Sequence, residues 1–295
     1  MTDTVRKAET IVTDDGVPID AVHLAADRKL AIVLAHGFTL SWQRPAVWRV
    51  ASLLNRHAGV VLFDFRGHGR SGGSSTMGDL EIKDLDVAIR YARELGYQRV
   101  ATVGFSMGAS VVLRQAGLIG GLDAVVSVSG PGRWYYRGTK AMRRVHWAVE
   151  HRIGRAVTRG FLHTRVAGGR WDPIPMPPAE AAARIAPTPL LIVHGDADVY
   201  FPVDHAEQLY AGAREPKELW IVPGFGHAEA AATPALLDRI ARWAELAAGA
   251  GPDERPAHAD EDVRPAGANA EALPDGSAGR ASGRRGWFTT PTGTP

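Results

Sequence analysis

The sequence predicts an α/β fold, with a mostly parallel central sheet covered by helices on both faces, and three observations lead there. Apolar runs without polar alternation recur at residues 30–35, 60–63, 100–105, 124–128, 190–193 and 219–222. Strands buried on both faces read this way. Helical spacing fills the gaps, most plainly where Ile82, Leu85, Ile89, Ala92 and Leu95 repeat at three- and four-residue steps before Gly96 as a natural stop. Strand and helix then alternate along the chain, as parallel pairing requires.

Taken in order, Ala8 to Leu24 reads as a hairpin, because two strand-like runs flank Asp14-Asp15-Gly16 and glycine tolerates positive φ. The runs at 30–35 and 60–63 follow, and the helix over 82–95 leads to the run at 100–105. Residues 109–113, Ala-Ser-Val-Val-Leu, open another helix. The runs at 124–128, 190–193 and 219–222 complete the sheet. In such sheets ligands bind at the carboxyl ends of the strands.

Two segments break the alternation. Residues 131–186 separate two strands by more than fifty positions and carry Trp134, Tyr135, Tyr136, Trp147, Phe161 and Trp171. That length predicts an inserted helical lid. The tail, 249–295, is rich in Ala, Gly, Pro and Asp and nearly free of large apolar residues before Trp287-Phe288. It is expected to be disordered, because it cannot bury enough surface to offset its ordering entropy. The expected organisation is a core in two parts, 1–130 and 187–248, with the lid between them and the tail after.

Composition narrows the chemistry. With 295 residues the chain can bury a sizeable core, and with no cysteine it has no disulfide, thiolate ligand or thiol nucleophile. A net charge of +2 is too small to imply a nucleic-acid partner. Neither a signal-like N-terminus nor a bilayer-length apolar stretch is present, so a soluble, cytoplasmic protein without stable membrane insertion is expected. Charge is nevertheless uneven, with ten Lys and Arg against two acids between residues 133 and 172. Such a segment could attract anionic acyl substrates, coenzyme A esters or a lipid surface. The plainer reading, preferred because a strand-poor insertion must put polar residues somewhere, is a solvated face whose arginine stems cover apolar surface.

Gly104-Phe105-Ser106-Met107-Gly108 fits G-x-S-x-G between a buried strand and a helix. A sharp turn strains the serine and leaves little room for a Cβ at positions 104 and 108. It also lifts the hydroxyl above the sheet beside the Met107 N–H. The alternative is a structural serine turn. A hydroxyl nucleophile needs a base and a group to orient it. After the run at 190–193 the chain reads His194-Gly195-Asp196-Ala197-Asp198, and after 219–222 it reads Pro223-Gly224-Phe225-Gly226-His227. The order is Ser, Asp, His, with two candidate acids.

With His36-Gly37-Phe38 after the third strand and Asp64-Phe65-Arg66-Gly67-His68-Gly69-Arg70-Ser71 after the fourth, residues 8 to 248 resemble the α/β-hydrolase superfamily, in its serine-nucleophile esterase, lipase and thioesterase branch. The resemblance implies the α/β-hydrolase fold with catalytic Ser106, Asp198 rather than Asp196, and His227. It implies an oxyanion hole made by the backbone N–H groups of Phe38 and Met107. His36, His68 and His194 are expected to brace loops, as are Asp64 and Arg66. No cofactor or metal is expected, since the sequence has no phosphate loop, dinucleotide fingerprint or ligand cluster. The implied activity is hydrolysis of a small-molecule carboxylic ester or thioester through an acyl-enzyme. Acyl transfer, amide or carbon-carbon cleavage on the same residues, and a non-catalytic binding protein on the same scaffold, remain open.

Overall fold

A computed structural model of the protein describes residues 8–249. β1 (Ala8–Val12) and β2 (Pro18–Leu24) form the hairpin, with Gly16 at φ 81° in its turn. β3 (Leu30–Ala35), α1 (Pro45–Leu54), β4 (Gly59–Phe63), α2 (Glu81–Glu94), β5 (Arg99–Phe105), α3 (Met107–Leu118) and β6 (Ala124–Val128) follow. α4 (Lys140–Glu150), α5 (Arg152–Phe161) and α6 (Pro178–Ala182) then precede β7 (Leu190–Gly195), α7 (Asp204–Gly212), β8 (Lys217–Val222), α8 (Ala228–Ala231) and α9 (Pro234–Gly249). The eight strands form one sheet in the order β1-β2-β4-β3-β5-β6-β7-β8, in which the β1–β2 and β2–β4 pairs are antiparallel and the other five are parallel.

The unbroken apolar runs have a simple cause: successive side chains of a strand point to opposite faces, and both faces are covered. Along β3, Leu30, Ile32 and Leu34 pack with α1 and α9, whereas Ala31, Val33 and Ala35 join the core under α2, α3 and α7. The same division places Val103 and Phe105 of β5 on the α1–α9 side, and Met107 and Val111 of α3 opposite.

Residues 131–189, between β6 and β7, are not uniform. α6 buries Ala181 and Ala182 and belongs to the core layer, since a Cβ on Gly117 of α3 would overlap the Ala181 carbonyl. α4 buries no residue and α5 only Gly154 and Thr158. The tail from residue 250 lies outside the described residues, and Gly249, placed with it on composition, closes α9. Among the described residues no helix is long and apolar enough to cross a membrane.

Candidate active site

β5 ends at Phe105 and α3 begins at Met107, so Ser106 alone makes the turn, at φ 53° and ψ −111°. Its amide donates to the Val128 carbonyl at 2.9 Å, which ties the strained residue to β6. The flanking glycines serve two separate approaches. A Cβ on Gly104 would overlap the Gly108 carbonyl, and one on Gly108 would overlap that of Ala35 in β3. Gly108→Ala is expected to lower stability by about 1–3 kcal/mol, the usual cost of overpacking. Chemical denaturation measures this, and an unchanged midpoint would refute the steric account.

The Ser106 hydroxyl lies 2.9 Å from His227 Nε2, and His227 Nδ1 lies 2.7 Å from Asp198 Oδ2. A carboxylate only accepts, so Nδ1 carries the proton and Nε2 keeps its lone pair for the hydroxyl. Asp198 is held on its other oxygen, where Oδ1 accepts from the amides of Tyr200 at 2.7 Å and Phe201 at 3.1 Å. Its side chain is fully buried, while that of His227 is 15% exposed. Asp196 faces elsewhere and accepts from the Gly224 amide at 2.7 Å. The Tyr200 ring stacks on the His227 ring, with centroids 4.3 Å apart.

Met107 is the first residue of α3, so its amide has no partner within the helix. Phe38 sits just past β3, before Thr39 at φ 65°. Four of the seven non-glycine residues with positive φ among the described residues belong to this site: Ser106 itself, with Thr39, Ser129 and Ala228 on the segments around it. Ser129 and Ala228 are joined, the Ala228 amide donating to Ser129 Oγ at 3.1 Å. Strain of this kind persists only where neighbouring structure imposes it.

The three histidines expected to brace loops, His36, His68 and His194, are engaged with backbone. His36 Nε2 accepts from the Phe65 amide at 3.1 Å, so Nδ1 donates to the Gly37 carbonyl at 2.8 Å, and burial pushes this ring down to about 3. His194 donates from Nε2 to the Phe201 carbonyl at 2.9 Å. Burial likewise pushes His68 down to about 4, with Nδ1 against the Arg66 carbonyl. Asp64 and Arg66 brace their loop through separate partners: Asp64 accepts from the amides of Trp42 and Arg70, and Arg66 pairs with Asp84 and Asp15. Among the described residues no group of three or more His, Asp and Glu side chains could hold a metal ion.

One neighbour of the serine was not foreseen. Glu229 Oε1 accepts from the Gly37 amide at 2.7 Å, across 192 positions of sequence. Arg49 of α1 holds this segment from behind, donating to the carbonyls of Glu229 and Ala232, each at 2.7 Å. Glu229 is buried, and burial pushes its carboxyl above the usual range. An acid two residues after a histidine carries no local signal of such a partner.

Strand order and the elbow together define an α/β hydrolase. Residues 32–246 match the model of the alpha/beta hydrolase family, and the chain belongs to that family. The protein YfhR of Escherichia coli K12, itself uncharacterized, is 29% identical over 210 residues, which cover 70% of this chain and 66% of that one. A putative non-heme chloroperoxidase of Synechocystis is 24% identical over 74% of this chain and 92% of its own. Among solved structures, esterase Pf2001 of Pyrococcus furiosus superposes with a TM-score of 0.64 at 22% identity, covering 80% of this chain and 90% of the other. That likeness shows the fold.

Proposed function

We propose that the protein is a serine hydrolase that cleaves carboxylic ester or thioester bonds of small molecules through an acyl-enzyme, with Ser106, His227 and Asp198 as its triad. The observation that carries this reading is the hydrogen-bonded chain from Ser106 Oγ through His227 to Asp198 on a strained elbow. The likeness of its fold to that of an esterase of Pyrococcus furiosus is consistent with it.

Ser106 Oγ attacks the carbonyl carbon while its proton passes to His227 Nε2. Asp198 keeps Nδ1 protonated and stabilises the imidazolium. Charge developing on the carbonyl oxygen meets the amides of Phe38 and Met107, and losing one such donor typically costs about a hundredfold or more. The tetrahedral intermediate collapses, the C–O or C–S bond breaks, and the leaving group takes the proton from Nε2. Water then adds to the acyl-enzyme by the same steps, its proton going to Nε2, and the free acid departs as Ser106 recovers its hydrogen.

A fluorophosphonate probe with intact-mass detection tests this. One adduct on the parent and none on Ser106→Ala is expected. A folded parent that takes no adduct overturns the reading in favour of a non-catalytic binding protein.

Glu229 sets the Gly37–Phe38 loop in this scheme. Glu229→Gln keeps an acceptor for the Gly37 amide, whereas Glu229→Ala leaves that buried amide unpaired. Turnover number is expected to fall about tenfold or more in the alanine variant and only a few-fold in the glutamine variant, since oxyanion donors act through position. Equal losses in both would refute the positioning role. Stability should report the acid as well. With its pKa raised by burial, the folded chain holds a proton that the unfolded chain has released, so stability falls as pH rises from the ordinary glutamate range towards the raised value. Glu229→Gln should lessen the fall in melting temperature as pH rises above the ordinary glutamate range, and a parallel pair of curves would contradict this.

A further inference from the structure

Helix α5 presents the wrong side to solvent. Ile153, Val157 and Phe161 are spaced by four and share one stripe, which a surface helix ordinarily lays on the core. Here the inward residues are Gly154 and Thr158, while Ile153 is 72% exposed and Phe161 79%. Close approach explains the inversion. A Cβ on Gly154 would crowd the Trp147 carbonyl and Ala148 of α4, and the Thr158 hydroxyl turns back to the Arg155 carbonyl. Val157, Leu162 and Trp147 of α4 are exposed as well. Arginine stems therefore do not cover this surface, as a merely solvated face would have required.

Charge narrows what does cover it. Residues 137–170 contain nine Lys and Arg and one acid, Glu150. Arg137 and His146 already take that acid, which leaves Lys140, Arg143, Arg144, Arg152 and Arg159 with no acidic partner among the described residues. Lys140, Arg143 and Arg144 line, with Trp147, an open recess of about 300 Å³. A second copy of the chain would set this positive charge against itself. Nucleic acid would satisfy the cations and leave Ile153 and Phe161 in water. An occupant that offers negative charge and an apolar phase together satisfies both.

We infer that the α4–α5 pair is a reversible docking face for an anionic lipid surface. Ile153, Val157 and Phe161 enter the acyl boundary, and the cations of the pair meet headgroup phosphates. Both ends of the pair are anchored beside the serine. Thr139, which caps α4, donates to the Tyr200 carbonyl at 2.9 Å, and Tyr200 stacks on His227. Beyond α5, Thr164 bridges to His68, whose ring meets that of Phe38 at 5.8 Å. Docking would thus hold the site near the lipid surface, although binding itself does not depend on the chemistry assigned to Ser106.

The test is co-sedimentation of the full chain with vesicles of phosphatidylcholine alone or with about one third phosphatidylglycerol. Partitioning is expected to favour the anionic vesicles by about tenfold or more and to weaken with salt. Ile153→Asp with Phe161→Asp should reduce it about tenfold, and Arg143→Glu with Arg144→Glu should abolish the anionic preference. All four side chains are exposed, so both variants should melt with the parent. A full chain that stays in the supernatant overturns the inference, as does binding that the aspartate variant leaves unchanged. A dimer that the aspartate variant dissociates would assign the face to a second copy instead. Tighter, salt-sensitive retention on a polynucleotide than on anionic vesicles would overturn it equally.

Discussion

Replacing Ser106 by alanine is expected to lower ester turnover by at least about ten-thousand-fold, with little change in melting temperature. The loss is large because in the proposed mechanism Oγ is the atom that forms the acyl bond, and no other hydroxyl is held against His227 Nε2 in the described site. The fold should barely respond. Ser106 keeps its amide bond to the Val128 carbonyl whatever its side chain, and alanine meets the same steric conditions at φ 53°. Hydrolysis of short nitrophenyl esters, read with thermal melts of both proteins, gives the measurement. Activity within about tenfold of the parent would sink the acyl-enzyme mechanism, because surviving catalysis without the nucleophile is ordinarily residual binding and oxyanion stabilisation.

Asp198→Asn should cost about ten-thousand-fold, since an amide in that position can present its NH2 to Nδ1 and favour the wrong tautomer. The carboxylate meets three groups at once: Nδ1 of His227 and the amides of Tyr200 and Phe201. A substitution there changes the base and the loop that carries the ring stacked on it. Asp196→Asn is the matched control, two residues away on the same loop. Its acceptor bond to the Gly224 amide can be kept by the asparagine oxygen, so its loss of activity should stay within about tenfold. Comparable losses in the two variants would remove the special assignment of Asp198. Turnover across pH adds a second reading, because an enzyme deprived of the orienting carboxylate should recover partly at high pH, where hydroxide competes with the missing base.

Much of this molecule was legible in order along the chain. Runs such as Leu30–Ala35 suggested strands covered on both faces, and Asp14-Asp15-Gly16 between two such runs signalled a hairpin turn. The elbow was legible because its two glycines answer local demands of a single turn. What the sequence could not order were relations between distant segments. Periodicity has no term for the crossover that sets β4 beside β2 and β3, for the acid of Asp196 and Asp198 that meets His227, or for Glu229 reaching Gly37. Nor does it set which way α5 faces, since the spacing of Ile153, Val157 and Phe161 makes one apolar stripe and Gly154 seated against Ala148 turns that stripe outward. The sequence by itself determined the alternation of strand and helix and the residue types available for chemistry, because those follow from side-chain periodicity and backbone permissiveness within a few residues. Only the tertiary structure decided which of those residues touch, because hydrogen bonds and close packing depend on distances that the chain closes across tens to hundreds of positions.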